Sequence, residues 1–251
     1  MQFRILGPVG LWTDDDEVPL HGMKQRTLMA ALMLSRGRAL SDHQIGELLW
    51  GADPPETFQA QIYTYASRLR RLLRDSIQIV RRGASYTLHM PGTRFDYEEF
   101  TDLSAKGTAA LREDRPQEAG EMLRQALDLW RGPAMTDVTE QLSDRERPAM
   151  EEARLTVLEN RIDADLANDR HEEVTAELLG LVRQYPLRER LRAQLMLAHY
   201  QSDRRADAFA VFHEGRQCLD DELGVQPGAA MQYTYQAILT GKRSVGSAAD
   251  R

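Results

Sequence analysis

The chain has 251 residues, of which 42% are apolar and 28% charged, a composition typical of a soluble globular protein with one large domain or two modest ones. Its longest strongly apolar run, Leu28 to Leu34, is too short to span a bilayer, and the N-terminal segment lacks the features of a secretion signal, so neither a membrane protein nor a secreted one is expected. Cys218 is the only cysteine, which excludes an intrachain disulfide and a cysteine-based zinc site and favours a reducing, cytoplasmic setting.

The formal net charge of −7 is unevenly distributed along the chain. Residues 1–90 contain eleven Lys/Arg and nine Asp/Glu, a balance of +2, whereas the remaining residues contain 21 and 30, a balance of −9. The acidic second part argues against binding of a polyanion by the whole chain. A nucleic-acid site confined to the N-terminal part is compatible with this distribution.

The N-terminal part begins with strand patterns and continues with helix patterns. Residues 2–20 consist of short apolar runs separated by turn residues, including an acidic turn from Asp14 to Glu17, and predict a small antiparallel sheet. Helical periodicity follows over residues 23–35. Ser41 is a favourable N-cap for a second helix that contains Ile45, Leu48 and Leu49 on its apolar face.

A third helix and a hairpin complete this part of the chain. The helix is predicted over residues 57–74, with Asp53 or Thr57 as its N-cap. Residues 77–80 and 85–88 predict two strands joined by a glycine-containing turn. The order of sheet, three helices and hairpin is that of a winged helix-turn-helix, in which the third helix enters the major groove and the hairpin lies along a neighbouring groove or phosphate strand.

The third helix is amphipathic. Its apolar face is formed by Ile62, Tyr65, Ala66, Leu69, Leu72 and Leu73. The opposite face is polar and basic, and between Gln59 and Arg82 six arginines accompany one acid, Asp75. Arginine suits guanine edges and phosphates, and glutamine suits adenine. The alternative, a helix with a merely solvated basic face, is less favoured because the surrounding pattern is that of a winged helix.

The candidate DNA contacts lie on this helix, on the hairpin and at the start of the first helix. They are Gln59, Tyr63, Thr64, Ser67, Arg68, Arg71, Arg81, Arg82, Lys24 and Arg26. The last two would hold a phosphate beside the amides of a helix N-terminus. Two further residues have open alternatives: Arg70 contacts DNA or pairs with a carboxylate inside the domain, and Tyr86 belongs to the DNA surface of the hairpin or to the core.

From Phe95 to Thr240 helical periodicity dominates, with helices predicted near residues 96–113, 116–131, 143–168, 171–184, 188–202, 205–222 and 228–240. Three sites between helices look alike: Glu113-Asp114-Arg115, Asn168-Asp169-Arg170 and Ser202-Asp203-Arg204. Asp169 and Asp203 are 34 residues apart, the period of tetratricopeptide (TPR) helix pairs. The step from Asp114 to Asp169 is 55 residues, so residues 131–147 interrupt the array, either as a regulatory loop or as a connector.

Five segments of the chain have familiar sequences: Gly22 to Arg26, Ile45 to Trp50, Tyr65 to Leu73, Phe95-Asp96 and Asp221 to Gly228. The first three resemble the DNA-binding part, and the last two the bacterial transcriptional activator domain, of the Streptomyces antibiotic regulatory protein (SARP) family. The resemblance implies an activator with an OmpR-type winged helix that pairs head to tail, as a homodimer on DNA. Such an activator binds direct repeats in double-stranded promoter DNA of biosynthetic (antibiotic) gene clusters.

The resemblance also implies recruitment of the RNA polymerase holoenzyme, through its sigma factor and the C-terminal domain of its alpha subunit. On this basis Glu47, Trp50 and Asp53, on the second helix and the loop after it, are expected to face polymerase. No catalytic residue set, metal site or cofactor is expected. The six histidines lack metal-ligand spacing, and no phosphate-binding G-x-x-x-x-G-K-[ST] motif is present.

The expected fold is mostly α with small β elements. It comprises an OmpR-type winged helix-turn-helix over residues 1–92, an all-α, TPR-like activator domain over residues 93–242 and a flexible tail over residues 243–251. The expected function is sequence-specific transcriptional activation without enzyme activity or membrane association. The alternative is a protein-interaction scaffold whose helical domain binds a partner and whose winged helix does not read DNA by itself.

Overall fold

The computed structural model describes residues 1–13, 16–73 and 77–241. The predictions for Asp14 and Asp15, for the end of the third helix at residues 74 and 75, and for the tail over 243–251 lie outside the described residues. The chain divides into two compact units, one formed by residues 1–102 with 126–155, the other by residues 103–125 with those from Thr156 onward. The first unit is therefore discontinuous in sequence.

The first unit contains two small sheets. β1 (Gln2–Arg4), β2 (Gly10–Thr13) and β3 (Asp16–Val18) form an antiparallel meander, and β7 (Arg94–Phe95) pairs with β1 in parallel, giving the order β3-β2-β1-β7. β4 (Leu40–Ser41), β5 (Gln78–Arg82) and β6 (Ser85–His89) form an antiparallel sheet in the order β4-β6-β5. The predicted sheet and hairpin are confirmed. β4 and β7 were not predicted, because a two-residue strand has no detectable periodicity.

Three helices complete the winged helix-turn-helix: α1 (Met23–Leu34), α2 (Asp42–Trp50) and α3 (Phe58–Leu72). Ser41 caps α2 as predicted, in a capping box in which its hydroxyl accepts from the Gln44 amide and its own amide donates to the Gln44 side chain. Thr57, rather than Asp53, occupies the N-cap of α3, although its side chain makes no capping bond. The core that these elements share is formed by Leu28, Leu32, Ile45, Leu49, Ile62, Leu69, Ile79, Tyr86 and Leu88.

The described chain after β7 is mostly helical, as predicted. Its helices are α4 (Asp96–Arg112), α5 (Pro116–Asp128), α6 (Glu140–Ala167), α7 (His171–Gln184), α8 (Glu189–Gln201), α9 (Arg205–Leu223) and α10 (Ala229–Leu239). α5 ends three residues earlier than predicted and α6 begins three residues earlier. In the ranges that the structure describes, none of the helices combines the length and the apolar character needed to cross a bilayer.

The three similar sites form three similar turns, which confirms the TPR-like interpretation. In each, an aspartate adopts a left-handed conformation, with φ of 55° at Asp114 and 58° at both Asp169 and Asp203. The amide of the next arginine then donates to a carbonyl five residues back, as in Arg204 N to His199 O at 2.8 Å. The side chain of that arginine also pairs with an acid three residues on: Arg115 with Glu118, Arg170 with Glu173 and Arg204 with Asp207.

Residues 129–139, here named the strap, pack within the first unit. Backbone bonds join the strap to the segment after β1, with Arg131 N donating to Leu6 O at 2.8 Å and Met135 N to Ile5 O at 3.0 Å. The Thr139 hydroxyl donates to Leu48 O in α2 at 2.6 Å. The interruption of the helical array is therefore an ordered part of the first unit, in which most of the strap has no regular secondary structure.

Asp96, the first residue of α4, connects the strap to the first sheet. Its fully buried carboxylate accepts bonds from the amides of Ile5 at 2.9 and 3.0 Å and Leu6 at 3.1 Å, and pairs with Arg131 at 2.6 Å. Burial raises the pKa of Asp96, and the bonds from Arg131, Ile5 and Leu6 oppose this effect. The Phe95-Asp96 pair thus has a structural role at the end of β7.

Candidate nucleic-acid interface

α3 presents the polar face that its sequence predicts. Ile62, Ala66 and Leu69 are buried on one side of the helix. On the other side Gln59, Tyr63, Thr64, Arg68 and Arg71 are exposed, and Ser67 is half-buried. We name these last six residues the reading face. Tyr65, Leu72 and Leu73, which were assigned to the apolar face, are half-buried.

Hydrogen bonds inside α3 leave the reading face largely available. The Thr64 hydroxyl donates to Ala60 O at 2.9 Å, so its oxygen remains an acceptor. The side-chain amide of Gln61 donates to the Thr57 hydroxyl at 3.1 Å, so this side chain is engaged within its own helix. Gln59, and not Gln61, is therefore the candidate base contact at this end of α3. Within residues 1–13, 16–73 and 77–241, no acidic side chain forms an ion pair with Arg68 or Arg71.

Arg70 differs from its neighbours because its partner is internal. Its Nε donates to Ile79 O in β5 at 2.8 Å, and the side chain is half-buried. Of the two alternatives for Arg70, the structure therefore favours an internal role, although the acceptor is a backbone carbonyl and not a carboxylate. The bond ties α3 to the hairpin.

The hairpin of β5 and β6, which is the wing of the winged helix, turns at Gly83, where φ is 58°. Arg82 is exposed, as expected of a DNA contact. Tyr86 is fully buried, which settles its role in favour of the core, and burial raises the pKa of its hydroxyl. Arg81 is about one-third exposed and pairs with Asp42 at 3.2 Å.

The two cations at the start of α1 also have internal partners. The Lys24 ammonium lies 4.3 Å from the centre of the Trp50 ring, and burial lowers its pKa. Arg26 pairs with Asp137 of the strap at 3.1 Å. A phosphate contact by these residues stays a prediction, and it would compete with the contacts that they already make.

The three residues expected to face polymerase lie at the end of α2 and in the loop after it. Glu47 is exposed and pairs with His43 at 3.4 Å, and Asp53 is exposed. Trp50 is half-buried beneath Lys24. α2 and α3 pack closely at Gly46: a Cβ on this residue would lie 3.1 Å from the ring of Phe58.

Sequence reasoning missed one residue of this surface, Asp42. Its side chain is 4% exposed, yet it pairs with Arg81 on the wing, and one carboxylate oxygen has no hydrogen-bond partner among the described residues. An acid in the first turn of a helix is common, so the sequence contains no signal of this role. In the same ranges, no group of three or more His, Cys, Asp or Glu is arranged to hold a metal ion.

Two family models match the chain. "Transcriptional regulatory protein, C terminal" matches residues 16–88. "Bacterial transcriptional activator domain" matches residues 95–239. The first model covers the helices and the wing of the winged helix-turn-helix, and the second begins at the Phe95-Asp96 pair and extends to the end of α10.

Relatives of known name match over almost the full chain. Regulatory protein AfsR of Streptomyces coelicolor is 38% identical over 95% of this chain, which spans only 24% of that longer protein. Transcriptional regulator RedD of the same species is 37% identical, with 95% of this chain and 70% of RedD covered. Regulatory protein DnrI of Streptomyces peucetius is 32% identical, with 95% of this chain and 92% of DnrI covered.

The solved structures include a close match to the fold. The structure "Mycobacterium tuberculosis EmbR in complex with low affinity phosphopeptide" superposes with a TM-score of 0.90 at 31% identity. The match covers 96% of this chain and 65% of the EmbR chain. The matched region of this chain includes both the winged helix-turn-helix and the helical array.

Proposed function

Because the chain belongs to the SARP family of transcriptional activators, we propose that it binds promoter DNA with α3 in the major groove and the wing on the adjacent backbone. The observation that supports this most directly is the reading face of α3. Five of its six residues are exposed and Ser67 is half-buried; the face lies opposite a buried apolar stripe and combines an amide, hydroxyls and guanidinium groups. These groups match the donors and acceptors that base edges present.

Three arginines are the proposed phosphate or guanine contacts. Arg68 and Arg71 lie on the reading face, and Arg82 lies at the tip of the wing. All three are exposed, and in the part of the chain that the structure describes none of them is paired with an acid. Free guanidinium groups at two separate elements suit the backbone contacts that set a protein's register on a duplex.

Gln59, Tyr63, Thr64 and Ser67 are the proposed base contacts. Gln59 lies one residue after the start of α3, the end of a recognition helix that contacts base edges in this class of motif. Tyr63 and Ser67 follow it at steps of one helical turn. The family suggests that the target is a direct repeat in the promoters of a biosynthetic gene cluster, bound by two protomers head to tail.

Recruitment of RNA polymerase is proposed for the surface around Glu47 and Asp53, with Trp50 at its edge. Both acids are exposed and lie away from the reading face in sequence, so polymerase and DNA would use different elements. The sigma factor and the alpha C-terminal domain are the proposed partners. Glu47→Lys should lower transcription in vitro while leaving promoter affinity unchanged, and an equal loss of both would contradict the assignment.

A salt-titrated gel shift tests DNA binding. Duplexes from the promoters nearest the gene are compared with scrambled duplexes, for the wild type and for Arg68→Ala and Arg71→Ala. Each substitution should weaken promoter binding by about 1–3 kcal/mol. Arg216→Ala, an exposed arginine of α9, is the matched control and should bind as the wild type does. Weak binding that is equal for all duplexes and all variants would instead support the scaffold alternative.

A further inference from the structure

The guanidinium of Arg81 in the wing contacts four residues of its own unit, and the side chain is 34% exposed. Its Nε donates to Gly83 O at 3.2 Å and its Nη2 donates to Asp42 Oδ2 at 3.2 Å. Its Cζ lies 5.4 Å from the ring centre of Tyr86 and 5.9 Å from that of Tyr63. Both distances are within the range of a cation–π interaction. An arginine so engaged is poorly placed to act as a mobile phosphate contact.

The anchors of Arg81 belong to the core of the winged helix. Tyr86 is fully buried and lies directly across the hairpin from Arg81. The Asp42 side chain is 4% exposed, and its amide donates to Ala84 O at 2.8 Å, which fixes the start of α2 against the wing. The planar guanidinium of Arg81 contacts both the buried carboxylate of Asp42 and the buried ring of Tyr86, which restricts the movement of the side chain.

The remaining contact of Arg81 is with a residue of the reading face. Tyr63 is 52% exposed and lies on the face of α3 that contains Gln59 and Ser67. An exposed tyrosine without support samples several rotamers, and fixing such a side chain on binding costs about 0.5–1.5 kcal/mol. The guanidinium of Arg81 supplies that support from the side of the wing.

We propose that Arg81 and Asp42 are positioning residues that hold the Tyr63 ring for a base contact, and that Tyr63 determines operator specificity. Asp42 acts through Arg81, and Arg81 acts through its contact with the Tyr63 ring. A held tyrosine offers a hydroxyl to base-edge donors and acceptors and an apolar ring edge to a thymine methyl. This inference rests on the proposed function, since it assigns roles within the same DNA surface.

The proposal differs measurably from a phosphate role for Arg81. Loss of one phosphate contact weakens binding to all sequences about equally and reduces the salt slope by about one. Loss of a positioning residue lowers the ratio of operator to scrambled-duplex affinity and leaves the salt slope unchanged. Asp42 gives the cleaner test of the affinity ratio, because so buried a side chain does not itself contact DNA and can act only through its neighbours.

The experiment uses the full chain and measures affinity for an operator duplex and a scrambled duplex at several salt concentrations. Asp42→Asn, Arg81→Lys and Tyr63→Ala should each lower the affinity ratio by about 5- to 10-fold, the effect of losing one good base contact. The double variant Asp42→Asn/Tyr63→Ala should lose no more than Tyr63→Ala alone. Arg82→Ala is the matched wing control, and it should reduce the salt slope with little change in the ratio.

The outcomes separate this inference from the proposed function. A wild type that does not discriminate the operator overturns both. A discriminating wild type whose ratio is unchanged in Asp42→Asn and in Arg81→Lys overturns the positioning role alone. Thermal melting of each variant shows whether it folds, and Arg81→Lys, which keeps the charge and the buried Asp42, decides the matter if Asp42→Asn is unstable.

Discussion

Asp96 joins several parts of the first unit, because four hydrogen bonds from three residues converge on its buried carboxylate. Replacing it with alanine removes the acceptor of two backbone amides and of Arg131 Nη2. We expect Asp96→Ala to lower the free energy of unfolding by about 3–5 kcal/mol, the range for breaking a buried charge pair. Urea unfolding measures it, with exposed Asp102→Ala of α4 as the control. Equal stability of the two variants would contradict the prediction.

His199 should make stability depend on pH. Burial, and to a lesser extent the charge of Arg204, lower the pKa of His199 below its ordinary value of 6.5, and its Nδ1 has no partner in the described chain. The unfolded chain therefore binds a proton that the folded chain resists, so stability falls as pH drops below about 6.5. His199→Asn should flatten this part of the melting temperature profile. An unchanged slope, or an equal effect of the exposed-site variant His21→Asn, would exclude His199 as the cause.

Two glycines in helices of the second unit lead to opposite predictions. A Cβ on Gly107 of α4 would lie 2.6 Å from Leu123 Cγ and 3.3 Å from Ala119 O of α5. Gly107→Ala should therefore destabilise the protein by about 1–3 kcal/mol through overpacking. A Cβ on Gly180 of α7 would meet no described atom within 4 Å beyond its own stretch of helix, so Gly180→Ala should stabilise by about 0.5–1 kcal/mol. Thermal melting of both variants measures these changes. If both variants were more stable than the wild type, the close packing of α4 on α5 at Gly107 would be refuted.

The elements that sequence patterns predicted are those with a period. α3 has its apolar and polar faces where the spacing of Ile62, Ala66 and Leu69 places them, and the Asp–Arg turns were visible as repeated tripeptides. The strap had no such signal. It is held by backbone amides and carbonyls, which any sequence possesses, and its side-chain contacts join residues about a hundred positions apart, such as Arg26 and Asp137. The pairing of Asp42 with Arg81, which lie 39 residues apart, could not be predicted either, because a contact between distant residues leaves no local sequence pattern.

At the scale of the whole molecule, the division at residue 92 stays a prediction, and it can be tested. A polypeptide of residues 1–92 lacks Asp96 and the strap, so Ile5, Leu6 and Thr27 would lose the hydrogen bonds that Asp96 and the strap provide. We expect this polypeptide to melt at a lower temperature than the full chain and to bind the operator more weakly. Limited proteolysis and operator affinity provide the measurement. A fragment as protease-resistant and as tightly binding as the full chain would show that residues 1–92 form an independent domain.

The discontinuous first unit also bears on how regulators of this kind can be recombined. A crossover between residues 88 and 95, where the two family matches meet, would join the DNA-reading half of one parent to the strap of another. The bonds between main-chain atoms of the strap and of the segment after β1 do not depend on which parent supplies the side chains. Contacts that need a particular side chain and would join the two parents include Arg26 with Asp137, the Thr27 hydroxyl with the Thr139 amide, and the Asp96 carboxylate with the amides of Ile5 and Leu6, so these side chains must be inherited together or be the same in both parents. A hybrid that takes residues 1–102 and 126–155 from one parent would keep all three of these contacts. The operator preference of that parent would then be transferred together with the whole first unit.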